Sequence, residues 1–96
     1  GAFAAEMIAD LAKGEVVDAG YEQKGRGRFV ILSHEGGYRS SYYHLENVHS
    51  EVRIGASLEK GQVIGSIGTS GTDYEQPTLF FSIEQSGIAL DPMQFF

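Results

Sequence analysis

The stretch Arg28-Phe29-Val30-Ile31-Leu32-Ser33-His34-Glu35-Gly36-Gly37-Tyr38-Arg39-Ser40-Ser41-Tyr42-Tyr43-His44-Leu45 decides the fold. Its first half is rich in β-branched and aromatic residues, its second alternates aromatic and polar residues, and His34-Glu35-Gly36-Gly37 lies between them. A four-residue link with two glycines suits a hairpin, so residues 28–33 and 38–44 read as paired antiparallel strands. Strand side chains alternate between faces, which sends Tyr42 and Tyr43 to opposite sides and leaves at least one of them partly exposed.

The same punctuation continues outward. Gly14 and Gly20 bracket the apolar run Glu15-Val16-Val17-Asp18-Ala19, a strand to pair with the hairpin. Further strands are expected at Val52 with Ile54, at residues 63–67, at residues 78–84 and at residues 88–90, after which Pro92 stops pairing. Gly68-Thr69-Ser70-Gly71-Thr72-Asp73 is polar, turn-rich and longer than a simple hairpin needs, the kind of loop that rims a site. Residues 2–13 carry Phe3, Met7, Ile8 and Leu11 at helical spacing ahead of Gly14, so local propensity favours a helix there. The expected fold is mostly β: a compact antiparallel β-sandwich or open barrel of six to eight short strands.

With 96 residues the chain has room for one core, and it reads as a single domain over residues 1–96 excised from a longer protein. No apolar run approaches the roughly 20 residues that span a bilayer, so any anchor lies outside this chain. There is no cysteine, hence no disulfide framework and no thiolate metal site. The net charge of −6 disfavours the phosphate-neutralising surface that nucleic acid requires. The one basic cluster, Lys24-Gly25-Arg26-Gly27-Arg28, reads as a solvated turn, and residues 61–96 contain neither lysine nor arginine.

Residues that could carry chemistry are sparse. His34, His44 and His49 show neither His-x-His nor His-x-x-x-His spacing, and His34 with His44 could approach each other only on neighbouring strands, without a third ligand to complete a zinc site. Ser40 and Ser41 lack a nucleophile elbow and read as solvent-facing strand residues. No phosphate-cradling motif is present. The cadence around Gly55 and Gly61 is shared with biotinyl and lipoyl carriers, but those need an exposed lysine later in the chain, and nothing beyond Lys60 can accept a cofactor.

Taken together, residues 31–38, then Tyr42-Tyr43-His44-Leu45, then Gly61-Gln62-Val63-Ile64-Gly65-Ser66-Ile67-Gly68-Thr69-Ser70-Gly71, and finally residues 77–83 with Leu90-Asp91-Pro92 resemble the lysostaphin-type (LytM) zinc endopeptidase domain over nearly the whole chain. The resemblance implies a strand near residues 7–9, against the helical propensity. Active members of that family cleave cell-wall cross-bridges with zinc held by His-x-x-x-Asp and by the second histidine of His-x-His. Here the His-x-His positions correspond to Thr78 and Phe80, the upstream aspartate falls near Gly1 or Ala2, and only His44 matches a catalytic position. An aromatic ring at a ligand position fills the site with apolar surface, so neither a metal nor another cofactor is expected. Phe80 and Phe81 then read as one groove-facing and one core-facing ring.

The resemblance thus implies a degenerate, non-catalytic domain that binds and activates a cell-wall amidase, in the periplasm or cell envelope, through a vestigial groove. Tyr38, Arg39, Tyr42, His44, Thr78 and Phe80 are its candidate partner-binding residues. The alternatives are an assembly domain in a division or sporulation complex, a non-cleaving peptidoglycan-binding domain, and, less favoured, an active zinc enzyme using His34, His44 and Glu35.

Overall fold

The computed structural model describes residues 7–9, as backbone, and 12–91. These form eight strands: β1 (Met7–Ala9), β2 (Gly14–Glu22), β3 (Gly27–His34), β4 (Tyr38–Val48), β5 (Ser57–Leu58), β6 (Val63–Ile67), β7 (Phe80–Gln85) and β8 (Ile88–Leu90). They pair antiparallel in one sheet of order β1-β6-β4-β3-β2-β5, with β7 joining β4 and β8 joining β7. Residues 7–9 are strand and not helix, because β1 pairs with β6, and a ladder of that kind overrides local helix preference. The positions of Phe3, Leu11 and Pro92, and those of Gly1 and Ala2, lie outside the described residues.

The β3–β4 hairpin is the frame. It runs from His34 opposite Tyr38 to Arg28 opposite Leu45. β4 then serves two partners on its other edge: residues 38–43 pair with β7, and Leu45, Asn47 and Val48 pair with β6. The changeover falls at His44, where Phe29 of β3 faces both Tyr43 and His44, a β-bulge. His44 takes φ of 68°, a left-handed conformation that costs a non-glycine residue about 1–2 kcal/mol. Backbone bonds hold it there: its N–H donates to the Arg26 carbonyl at 2.9 Å, and its carbonyl accepts from the Gly68 N–H at 3.0 Å.

One face of this sheet closes on a core of Val16, Val30, Leu32, Tyr42, Leu45, Val52, Leu58 and Ile64. Val52 and Ile54 were expected in a strand, but residues 51–56 are a turn-rich connection whose Val52 is buried and whose Ile54 is 64% exposed. The strand that follows is Ser57–Leu58, and it supplies Leu58 to the core instead. Ser40 and Ser41, expected to face solvent, are both buried between β3 and β7.

Glycine is required where two turns touch. Gly27 sits at φ 64°, and a Cβ added there would collide with the carbonyl of Ser70 in the loop after β6. We expect Gly27→Ala to lower stability in urea denaturation by at least twice as much as Gly55→Ala. Gly55 also has positive φ (92°), but nothing lies within 4 Å of its Cβ direction, so its alanine carries only the backbone cost of about 1–2 kcal/mol.

Candidate functional site

Strand parity divides the candidate residues between two surfaces. Tyr42 pairs with Phe81 and Tyr43 with Phe80, so each pair lies on its own side of the sheet. Tyr42 is only 2% exposed in the core, tilted against Phe81 at 5.1 Å between ring centroids, and it therefore drops out of the candidate surface. Tyr43 is the tyrosine that reaches outward. Phe80 is 46% exposed, while Phe81 packs on the core.

The outer surface is built around that second pair. Tyr43 and Phe80 stack with centroids 4.8 Å apart and planes 16° from parallel, and Phe29 meets Tyr43 edge-on at 6.4 Å. Arg26 closes this cluster from the β2–β3 turn, its Cζ 3.7 Å from the Phe29 centroid and 5.8 Å from that of Tyr43. A guanidinium over an aromatic face is attracted by the ring quadrupole. Arg26 also donates to the Glu22 carboxylate at 2.8 Å. That bond holds the Glu22 carboxyl below its ordinary value of 4.5 and, with a smaller contribution from Tyr43, raises the Arg26 guanidinium.

His44 stands beside this cluster, edge-on to Tyr43 and to the exposed Tyr74, each at 6.3 Å. Its Nδ1 lies 3.0 Å from the Ser70 carbonyl. A carbonyl only accepts, so Nδ1 carries the proton. Thr78 comes close through the backbone, since its N–H donates to the Gly68 carbonyl and the Gly68 N–H to that of His44, both at 3.0 Å. Arg39 shares the outer face with Tyr43, separated from it by the Ser41–Ser82 pair, and lies opposite Glu84.

Tyr38 lies elsewhere. It lines a separate cavity of about 440 Å³ with His34, Ser40 and Ile83 on the core side of the hairpin's turn end. There His34 Nδ1 donates to the Lys13 carbonyl at 3.0 Å, and Nε2 accepts from Ser40 Oγ at 2.7 Å, a tie between the start of β2 and β4. The ring is fully engaged at both nitrogens. His34 and His44 occupy opposite ends of the hairpin, so they do not converge on one ion. Among the described residues no three of His, Asp and Glu form a group that could hold a metal. The outer face, with Phe80 and Thr78 beside a single imidazole, does not fit zinc.

Of the candidates, the structure brings Arg39, His44, Thr78 and Phe80 to one side. Sequence reasoning missed Tyr43, Tyr74, Phe29 and Arg26 as members of the same surface. Parity made Tyr43 an equal alternative to Tyr42, and Arg26 was read only as part of a solvated basic turn.

The profile of peptidase family M23 matches residues 2–92. A lipoprotein NlpD/LppB homolog of Pseudomonas aeruginosa is 39% identical over 90 residues, covering 94% of this chain and 29% of its own length. The murein hydrolase activator NlpD of Escherichia coli is 31% identical over the same share of this chain and 23% of its own. The chain thus spans less than a third of either relative. The catalytic domain of the antimicrobial peptidase lysostaphin from Staphylococcus simulans superposes with a TM-score of 0.78 at 29% identity, over 95% of this chain and 70% of that domain.

The Arg26–Glu22 clamp has a measurable signature. Because the Glu22 carboxyl is held low in the folded chain, the clamp contributes fully above the carboxyl's ordinary value and is lost as pH falls through the depressed one. Carboxyl chemical shifts should show Glu22 titrating below 4.5, and Arg26→Ala should move the midpoint up toward that value, short of it because the backbone N–H of residue 26 still reaches the carboxylate.

Proposed function

The chain belongs to peptidase family M23, and on that premise we propose that it is a non-catalytic binding domain that switches on a murein hydrolase of the amidase class in the cell envelope. The observation that carries the reading is the Tyr43–Phe80 stack, with Phe80 at the position where the family resemblance places a zinc ligand. Hydrolysis through zinc needs three protein ligands around an open position for water. This face offers one histidine whose Nδ1 is already bonded to Ser70, and a stacked aromatic pair in place of a donor.

What the face does offer suits recognition of a protein. An exposed phenylalanine stacked on a half-buried tyrosine, with an arginine laid across a neighbouring ring, brings together residue types enriched at protein interfaces. The rings are fixed by stacking and the arginine by Glu22, so little side-chain freedom is lost on contact. The relatives named murein hydrolase activator and lipoprotein support both the activating role and the extracytoplasmic setting. The partner surface runs from Arg39 past Tyr43 and Phe80 to His44, Tyr74 and Thr78.

The test is dye release from labelled peptidoglycan by this chain alone, by a cell-wall amidase from the same cell alone, and by the two mixed. Release in the mixture well above the amidase alone is expected. A Tyr43→Ala/Phe80→Ala variant should lose about thirtyfold in affinity for the amidase, matching a hot-spot loss of about 2 kcal/mol, and with it most of that gain, while a thermal melt shows that it still folds cooperatively. Release by the chain alone would establish an active hydrolase and overturn the reading. No gain in the mixture would transfer it to assembly or passive wall binding.

A further inference from the structure

Arg28 and Tyr21 sit opposite each other at the end of the β2–β3 ladder and, by strand alternation, face away from Phe29 and the aromatic stack. The guanidinium lies over the tyrosine ring with its Cζ 5.5 Å from the centroid, within the range of a cation–π contact. Together they form a ridge, since two separate hollows share these two residues as a common wall. Tyr21 is 57% exposed, and Arg28 is exposed as well. One of the hollows holds about 400 Å³ and is otherwise lined by Glu46, Gly68, Thr69, Ser70, Glu75 and Pro77. Glu46 and Glu75 are exposed, and among the described residues neither of them nor Arg28 is in an ion pair, unlike Arg26 two residues away.

We propose that ridge and hollow are the two halves of one self-complementary contact: the Tyr21–Arg28 ridge of each copy of the chain seats in the Glu46–Glu75 hollow of a second copy. A two-fold pair requires one patch to carry both a projection and its receptor, because residue i of one copy meets residue j of the other and j meets i. Here projection and receptor adjoin, and their charges are opposite. Seated this way, each guanidinium gains two carboxylates that its own fold leaves beyond ion-pair distance, and each exposed tyrosine ring gains a wall that includes Pro77. The two halves are held in fixed relation before contact. Ser70 accepts from the Arg28 N–H at 2.9 Å on the ridge side, and on the hollow side the Gly68 N–H donates to the His44 carbonyl at 3.0 Å, so little backbone freedom is lost on pairing. A partner of another kind would have to supply a cation and carboxylates in the same register, which a second copy supplies by symmetry. Both copies carry a net charge of −6 and repel at long range, so the attraction is confined to this patch and the pair is weak and reversible. The contact uses none of the outer-face residues and stands apart from the activator reading.

The test is sedimentation equilibrium of the 96-residue chain over a range from about 10 μM to about 1 mM, where a weak pair is populated. The mean mass should rise with concentration from that of one chain and level toward that of two. Arg28→Glu makes ridge and hollow both acidic, and Glu46→Lys/Glu75→Lys makes both basic, so each variant alone should associate at least about tenfold more weakly. Mixed in equal amounts the two variants should pair again, because every ridge then meets a hollow of opposite charge. All three side chains are exposed and the Arg28 bond to Ser70 runs through its backbone N–H, so thermal midpoints near that of the parent are expected and separate lost pairing from lost folding. A parent that stays at the mass of one chain overturns the proposal and leaves the surface to a different partner. Association of undiminished strength in the charge variants overturns it too, as does a mixture no stronger than either variant alone. Growth beyond two chains, which a closed two-fold contact forbids, assigns the surface to open-ended assembly and overturns it as well.

Discussion

Ser70 ties together the parts that give this domain its functional face. Its hydroxyl donates to the Leu45 carbonyl at 2.6 Å and accepts from the Arg28 N–H at 2.9 Å, while its own carbonyl accepts from His44 Nδ1. One residue thereby joins β3, the bulge of β4 and the loop after β6. The contact is possible only because the β2–β3 turn and the Ser70 loop approach with no side chain between them: a Cβ on Gly27 would strike the Ser70 carbonyl, and a Cβ on Gly71 would strike the Gly27 nitrogen. Without that contact the left-handed His44 would lose its side-chain anchor on Ser70 and keep only its backbone bonds to Arg26 and Gly68, weakening the bend that lets β4 pair with β7 along one part and β6 along another. The outer face is a consequence of the bend, since it is there that Tyr43, Phe29 and Phe80 are brought together.

The legible part of the fold was the part with local grammar. The β3–β4 hairpin, the outer strands and the connecting loop follow from alternation and glycine spacing, and each involves residues close in sequence. Val52 and Ile54 misled because two apolar residues at i and i+2 look like a strand even when one is a core plug and the other an exposed turn residue. Around Met7 local propensity pointed to helix and the family resemblance to a strand, and the strand forms, because its ladder partner Ser66 lies far along the chain where propensity cannot see it. Ser40 looked solvent-facing because its partner is the His34 ring, six residues back across the hairpin turn.

Strand parity announced that one ring of Phe80-Phe81 would be free of the core. Which tyrosine would stand beside it depends on the register of β4 against β7, and two adjacent tyrosines carry no register information of their own. Arg26 was hidden for a different reason. Within Lys24-Gly25-Arg26-Gly27-Arg28 the three cations look equivalent, yet the fold gives Arg26 a carboxylate and an aromatic face, gives Arg28 a tyrosine and no carboxylate, and sends them to different surfaces.

That division gives the domain two faces drawn from one turn. On the outer face the positive charge of Arg26 is spent internally on Glu22, so the face is chiefly aromatic. On the other, Arg28 lies beside Tyr21, with Glu46 and Glu75 lining the same hollow. The two faces share the Gly27–Ser70 contact as their support, because Arg28 N–H and His44 Nδ1 both end on Ser70. The bulge at His44 is what holds the aromatic cluster in one arrangement, and a few large side chains fixed in this way lose little freedom on contact.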